Sequence, residues 1–202
     1  MLITKGRAAD YLRINPLLEL TPGQQLQQNE LMTNLYSEKT SETSLLELAI
    51  DWRSEVGNIL IPYVYISRHN SETFTSTAGL ALLKKGKLIG KLSAKEVERL
   101  KIIRNEYQNG VIELICPQTP SQTEVVEVLA LKTNVTPMIK GDALRVRVRS
   151  RMDVSVQKLT CSATDRPETE KEFAQLIARY VEQELKETVE MLQRIKFDAL
   201  DL

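Results

Sequence analysis

The sequence predicts an α+β fold: a mainly antiparallel sheet packed by a long C-terminal helix and a shorter helix, preceded by a smaller, mostly helical region. Three observations predict it. Apolar residues recur at intervals of three and four from Phe173 to Ile195, which marks one face of a long helix. Alternation of apolar with charged or polar residues, interrupted at Ser150, runs through 143–156, which marks a strand. Further strand-like segments cluster ahead of the long helix instead of alternating with helices one by one, which favours α+β over a parallel sheet with crossovers.

In chain order, Leu2 to Thr4 reads as a short strand and Gly6 to Arg13 as a short helix. Thr21-Pro22 is a helix start, with Thr as N-cap and Pro at the first helical position, and the helix runs through Leu26 and Leu31 to about Leu35. Ser37 to Ser44 is a polar loop. Ser44 then caps a second helix, Glu47 completes a capping box, Leu45, Leu48, Ala49 and Trp52 give one apolar face, and Gly57 ends it. Ile59 to Ile66 is rich in strand formers, but Pro62 lacks an N–H, so an edge strand or an irregular extended segment is expected. The polar run His69 to Thr73 marks a domain boundary, separating 1–68, part of a neighbouring middle domain, from a C-terminal domain, 74–202.

Two strands follow, 75–83 and 87–92, joined by the tight turn Lys84-Lys85-Gly86. Ser93 to Glu96 is a capping box, and the helix after it turns Val97, Leu100 and Ile103 inward. Asn109-Gly110 is a turn, Val111 to Cys116 a buried-type strand, and Pro117 to Gln122 a loop. Two long strands, 124–138 and 143–156, are close enough in sequence to pair antiparallel. In the second, Leu144, Val146, Val148, Met152, Val154 and Val156 share one face, and Arg145, Arg147, Arg149, Arg151 and Asp153 the other. Pro167 opens the long helix, whose apolar stripe should cover the Leu144/Val146/Val148 face.

Composition excludes several classes. The chain has 202 residues, 42% hydrophobic and 27% charged, a globular balance. Lys plus Arg and Asp plus Glu number 27 each, so electrostatic function must come from local patches, and the basic excess typical of nucleic-acid binders is absent. Aromatic residues, 5% of the chain, do not alternate with the arginines, so stacking on single-stranded nucleic acid has no support. No apolar run reaches the roughly 18 residues of a membrane-crossing helix. Cys116 and Cys161 lie outside any CxxC pair and have no histidine near them, so no metal or other cofactor is expected. They read as small buried hydrophobes, with a disulfide as the alternative.

Catalytic motifs are absent. His69 lies in a polar stretch without a patterned Ser, Cys or Asp partner, and neither a nucleophile elbow, a Walker A loop nor HExxH occurs. Lys84, Lys85 and Lys87 flank a turn and read as a solvated surface. The prominent electrostatic feature is the ladder of Arg145, Arg147, Arg149 and Arg151. From Lys132 to Lys158 the strand region carries a net charge of plus five, and from Pro167 to Glu190 the long helix carries minus four. Partial pairing with glutamates such as Glu124 and Glu127 is expected. The remaining positive surface is a candidate contact for an acidic partner or an anionic lipid surface, against the plainer reading of a solvated, cross-strand-paired face.

The stretch Gly79 to Glu96 resembles the C-subunit family of spore nutrient germinant receptors, the GerAC-like lipoproteins. The residues that carry it are Lys87, Leu88, Gly90, Leu92, Ser93 and Glu96, with Gly86 in the turn before them. The order that follows, a strand ending in Cys116-Pro117, two long strands and a long helix, is similar as well. The end, Phe197 to Leu202, departs from the family's Asp-hydrophobic-Gly-Phe-like tail. The resemblance implies a fragment of a longer, non-catalytic lipoprotein. It would sit on the outer face of the inner spore membrane through an N-terminal lipid anchor that this chain lacks. It would assemble with integral-membrane A and B subunits to trigger germination. A small-molecule, nutrient-binding protein is the alternative, and a hydrolase with an unrecognised site a third reading.

Overall fold

The computed structural model describes residues 1–69, 72–116, 119–141, 143–162 and 166–200. The chain is α+β, with a four-stranded sheet and a three-stranded sheet. It divides into two compact units, one of Met1–Glu98 with the chain's end from Leu192, the other of Arg99–Met191.

In the first unit, β1 (Ile3–Thr4) pairs parallel to β2 (Asn58–His69), which pairs antiparallel with β3 (Glu72–Lys84), which in turn pairs with β4 (Lys87–Leu92). Three helices precede β2: α1 (Ala8–Tyr11), α2 (Pro22–Ser37) and α3 (Leu45–Arg53). Thr21 caps α2 by accepting from the Gln24 N–H, and Ser44 and Glu47 form the expected capping box of α3. The hydrogen bond from the Ser44 backbone, with the Ser44 side chain second, holds the Glu47 carboxyl below its usual range. Tyr11, Leu26 and Val64 form a small buried cluster. The Tyr11 hydroxyl lies 2.8 Å from the Lys5 carbonyl and 3.1 Å from that of Val64, and burial raises its pKa.

Three expectations change here. The boundary expected at 69–73 instead falls between two paired strands, because β2 and β3 pair from Asn58↔Lys84 to His69↔Glu72 with one register shift; Asn70 and Ser71 lie outside the described residues. Thr73 and Thr75 are strand formers with exposed or half-exposed side chains, so their polarity marks a wet face and no linker. The structure's compact units separate between Glu98 and Arg99, so 74–202 is not one unit with one sheet. Pro62 sits inside the sheet, opposite Leu80, at a register shift between Pro62 and Val64 and just before β1 begins to pair at Tyr63. The apolar face of α3 is not buried, for Leu45, Leu46, Ile50 and Trp52 are all exposed.

Lys85 and Gly86 both take positive φ, the signature of a two-residue hairpin turn matched to strand twist. A Cβ on Gly86 would lie 2.7 Å from the Trp52 ring. Gly79 is more tightly constrained. It has φ +86°, and a Cβ there would lie 2.3 Å from the Leu92 carbonyl oxygen, a backbone atom that cannot swing aside. Its N–H donates to the Lys39 carbonyl at 2.7 Å. At the far end of the chain, Phe197 and Ala199 are buried, and Asn58 donates to the Asp198 carbonyl at 2.8 Å.

In the second unit, β5 (Gly110–Cys116) pairs antiparallel with β6 (Thr119–Lys140), and β6 with β7 (Ala143–Lys158). The loop expected over 117–122 is strand from Thr119 on, and Pro117 and Gln118 lie outside the described residues. Phe173, Ile177 and Val181 of α5 (Pro167–Arg194) pack with Ile112, Leu114, Val126 and Val128, and Met152 and Val154 add to this core. The stripe therefore covers the base of the sheet. It does not cover the region of Val146, which is exposed, and the Leu144 side chain lies outside the described residues. The cause is strand length: β5 reaches only the Gly110↔Val128 pair, and beyond it β6 and β7 continue alone. The linking helix α4 (Ala94–Arg104) starts at the expected capping box, with the Ser93 N–H donating to Glu96 Oε2 at 2.7 Å, and it buries Val97, Leu100 and Ile103. Arg99 pairs with Glu184 of α5.

Replacing Gly79 with Ala should cost at least about 2 kcal/mol of unfolding free energy, from a positive φ and a backbone clash together. Gly90→Ala should cost under about 1 kcal/mol, since a Cβ there makes only ordinary contacts at 3.4 and 3.6 Å. Urea denaturation of the two variants checks this, and equal losses would contradict the geometry.

Candidate functional site

Beyond β5, the paired strands β6 and β7 form a two-stranded ribbon. Its register sets which side chains share a face, since directly opposed residues project to the same side. Lys132 opposes Arg151, Asn134 opposes Arg149, Thr136 opposes Arg147 and Met138 opposes Arg145. The other face pairs Thr133 with Ser150, Val135 with Val148 and Pro137 with Val146. The ribbon thus carries one basic and one largely apolar face. The four arginines are exposed, and among the described residues none of them forms an ion pair.

The glutamates expected to offset them are engaged elsewhere. Glu124 is 1% exposed and accepts from the Cys161 N–H at 3.2 Å, the Ser162 N–H at 2.7 Å and the Ser162 hydroxyl at 3.0 Å. Glu127 opposes Ser155 and accepts from the Gln157 amide at 2.6 Å. Alternation along β7 places the arginines together, but it contains nothing about the hydrogen-bond demand of the segment after the strand, which claims Glu124.

That segment is also held covalently. Cys116 and Cys161 form a disulfide with a Cα–Cα distance of 6.1 Å, so the expectation of two buried thiols is corrected. Two cysteines 45 residues apart carry no geometric information until the strands are paired. Cys116, Cys161 and Glu124 bring donor atoms within 4.8 Å of one another. With the sulfurs bonded together and both Glu124 oxygens accepting hydrogen bonds, the cluster acts as a clasp on the chain before α5.

The family-like residues are structural in their geometry. Gly86 lies in the turn. Lys87 and Leu88 are exposed on β4, Gly90 opposes Leu82, Leu92 is buried at the strand's end, and Ser93 and Glu96 cap α4. Together they shape a hairpin and start a helix. His69 is exposed at the end of β2, opposite Glu72.

The first unit holds a cavity of about 330 Å³ lined by Tyr11, Ile14, Pro16, Leu17, Leu18 and Phe74, with Gln25 and Asn29 as polar members. Its amides are occupied. Gln25 Oε1 accepts from the Leu17 and Leu18 N–H groups at 3.1 and 3.0 Å, and Asn29 Nδ2 donates to the Thr75 carbonyl at 3.1 Å. Gln25 fixes the loop that walls the cavity, and Asn29 ties α2 to β3. No alternation or motif signals this cavity, since its lining comes from a loop, two helices and one strand.

Residues 78–202 match the sequence profile of the family described as spore germination B3/GerAC-like, C-terminal. The chain matches no curated protein. Among solved structures it is similar to the GerBC protein, with a TM-score of 0.60 and 17% identity over 98% of this chain. It spans about 55% of the length of that solved chain, and at this identity the likeness concerns the fold.

Removing the clasp by Cys116→Ser with Cys161→Ser should lower stability by about 4 kcal/mol, the loop-closure value for a ring of this length. Urea denaturation with and without reductant measures it. A loss under about 1 kcal/mol would mean that the Glu124 bonds alone hold the segment.

Proposed function

The chain belongs to the spore germination B3/GerAC-like family, and from that membership we propose that it is part of a germinant receptor C subunit that acts without catalysis, by assembly with integral-membrane A and B subunits. The match across residues 78–202 is the observation that carries the reading. The fold shared with the GerBC protein supports it, as does the use of the family-like residues for backbone geometry. Among the described residues no helix is long and apolar enough to cross a membrane. In this reading attachment comes from a lipid anchor upstream of these residues, as the family resemblance implies.

A second reading, direct nutrient binding, is favoured by the cavity of about 330 Å³ in the first unit, which is large enough for a small molecule. Against it, the amides that would orient a ligand already hold the surrounding backbone, Gln25 the loop and Asn29 strand β3.

Crosslinking the full-length protein in spores should recover the A and B subunits as neighbours, and their absence would overturn the assembly reading. Filling the cavity with Phe74→Trp should leave both receptor assembly and the nutrient response unchanged. Loss of the nutrient response with assembly intact would favour the second reading.

A further inference from the structure

The basic face of the ribbon carries more charge than its place in the fold requires. β7 is an edge strand, and one or two charges suffice to deter edge-to-edge pairing. Here cations occupy every second position from Arg145 to Arg151, about 7 Å apart along the strand, and a fifth, Lys132, stands directly opposite Arg151. Like charges in that position repel. No carboxylate stands opposite any of the four arginines, and Glu124 and Glu127 are engaged elsewhere.

We propose that this face binds the phosphate groups of an anionic lipid surface. Guanidinium groups grip phosphate oxygens with two parallel N–H bonds. Protein interfaces draw on aromatic anchors set in pockets, and residues 119–158 contain no Phe, Trp or Tyr. The same lack removes the stacking platform that a single-stranded nucleic acid uses. A headgroup layer needs no matching pocket, only cations presented in a row. At the distal end Met138, half-exposed, shares the face with Arg145, whereas Ile139, 84% exposed, pairs with Leu144 on the opposite face. The inference stands apart from the subunit assignment, since it rests on the ribbon's chemistry alone.

Co-sedimentation of the 202-residue chain tests it. The probes are vesicles of equal parts phosphatidylglycerol and phosphatidylcholine, and vesicles of phosphatidylcholine alone. The chain should bind the first and not the second, and high salt should release it. Arg147→Gln with Arg149→Gln should weaken partitioning about 30-fold, with an unchanged melting temperature because both side chains are exposed. Ile139→Ser, on the opposite face, should leave partitioning unchanged. Equal binding to both vesicle types, undiminished binding by the double variant, or no binding at low salt would overturn the proposal. So would salt-sensitive self-association or capture by an acidic protein that the double variant abolishes while vesicle binding persists.

Discussion

In the second unit a strand of seven residues lies beside one of 22, and where the short strand stops the sheet loses its third member. The consequences follow in order. Where three strands are present, the stripe of α5 has a surface wide enough to close over, and Val126, Val128 and Leu114 become buried beneath Phe173 and Ile177. Where two remain, β6 and β7 bond mainly to each other, Asn105 accepts from the Thr133 N–H at 2.6 Å, and past Thr133 both faces meet water. The same alternating pattern is therefore packed against the core at Met152 and Val154 and surface at Val146.

The first unit depends on a different limit, the closeness of two backbones. Gly79 passes the end of β4 with no room for a side chain, and its N–H is bound to the chain before α3. The hairpin β3–β4, the loop near Lys39 and the start of α4 converge on that point. Of the residues by which the chain resembles its family, Leu92 and Ser93 lie against it, and Gly86 and Lys87 turn the other end of the hairpin. Their pattern encodes how the backbone turns and caps, and a family signature of this kind carries little information about what the protein contacts.

Much of this was legible from residue order. Capping boxes at Ser44–Glu47 and Ser93–Glu96, the turn at Lys85-Gly86 and the limits of β4 are local, and short-range chemistry decides them. The coherence of the arginine face was legible too, because alternation has a fixed period. What failed was long-range. The Thr-rich segment around His69 looked like a linker because polarity alone does not distinguish a wet strand from a loop. The cysteine pair required the β5–β6 register before its distance could be known. The apolar face of α3 had the spacing of a buried helix, yet spacing cannot supply a neighbour to bury it.

The disulfide has a mechanical consequence. Cys116 stands at the end of β5 and Cys161 just after β7, so the whole β6–β7 ribbon is a lobe within one covalent ring. A pulling load applied across the ring, between the chain before Cys116 and the chain after Cys161, passes through the sulfur bridge. The looped strands then bear none of it and are not drawn out. Tension can cross this part of the chain while the lobe keeps its shape.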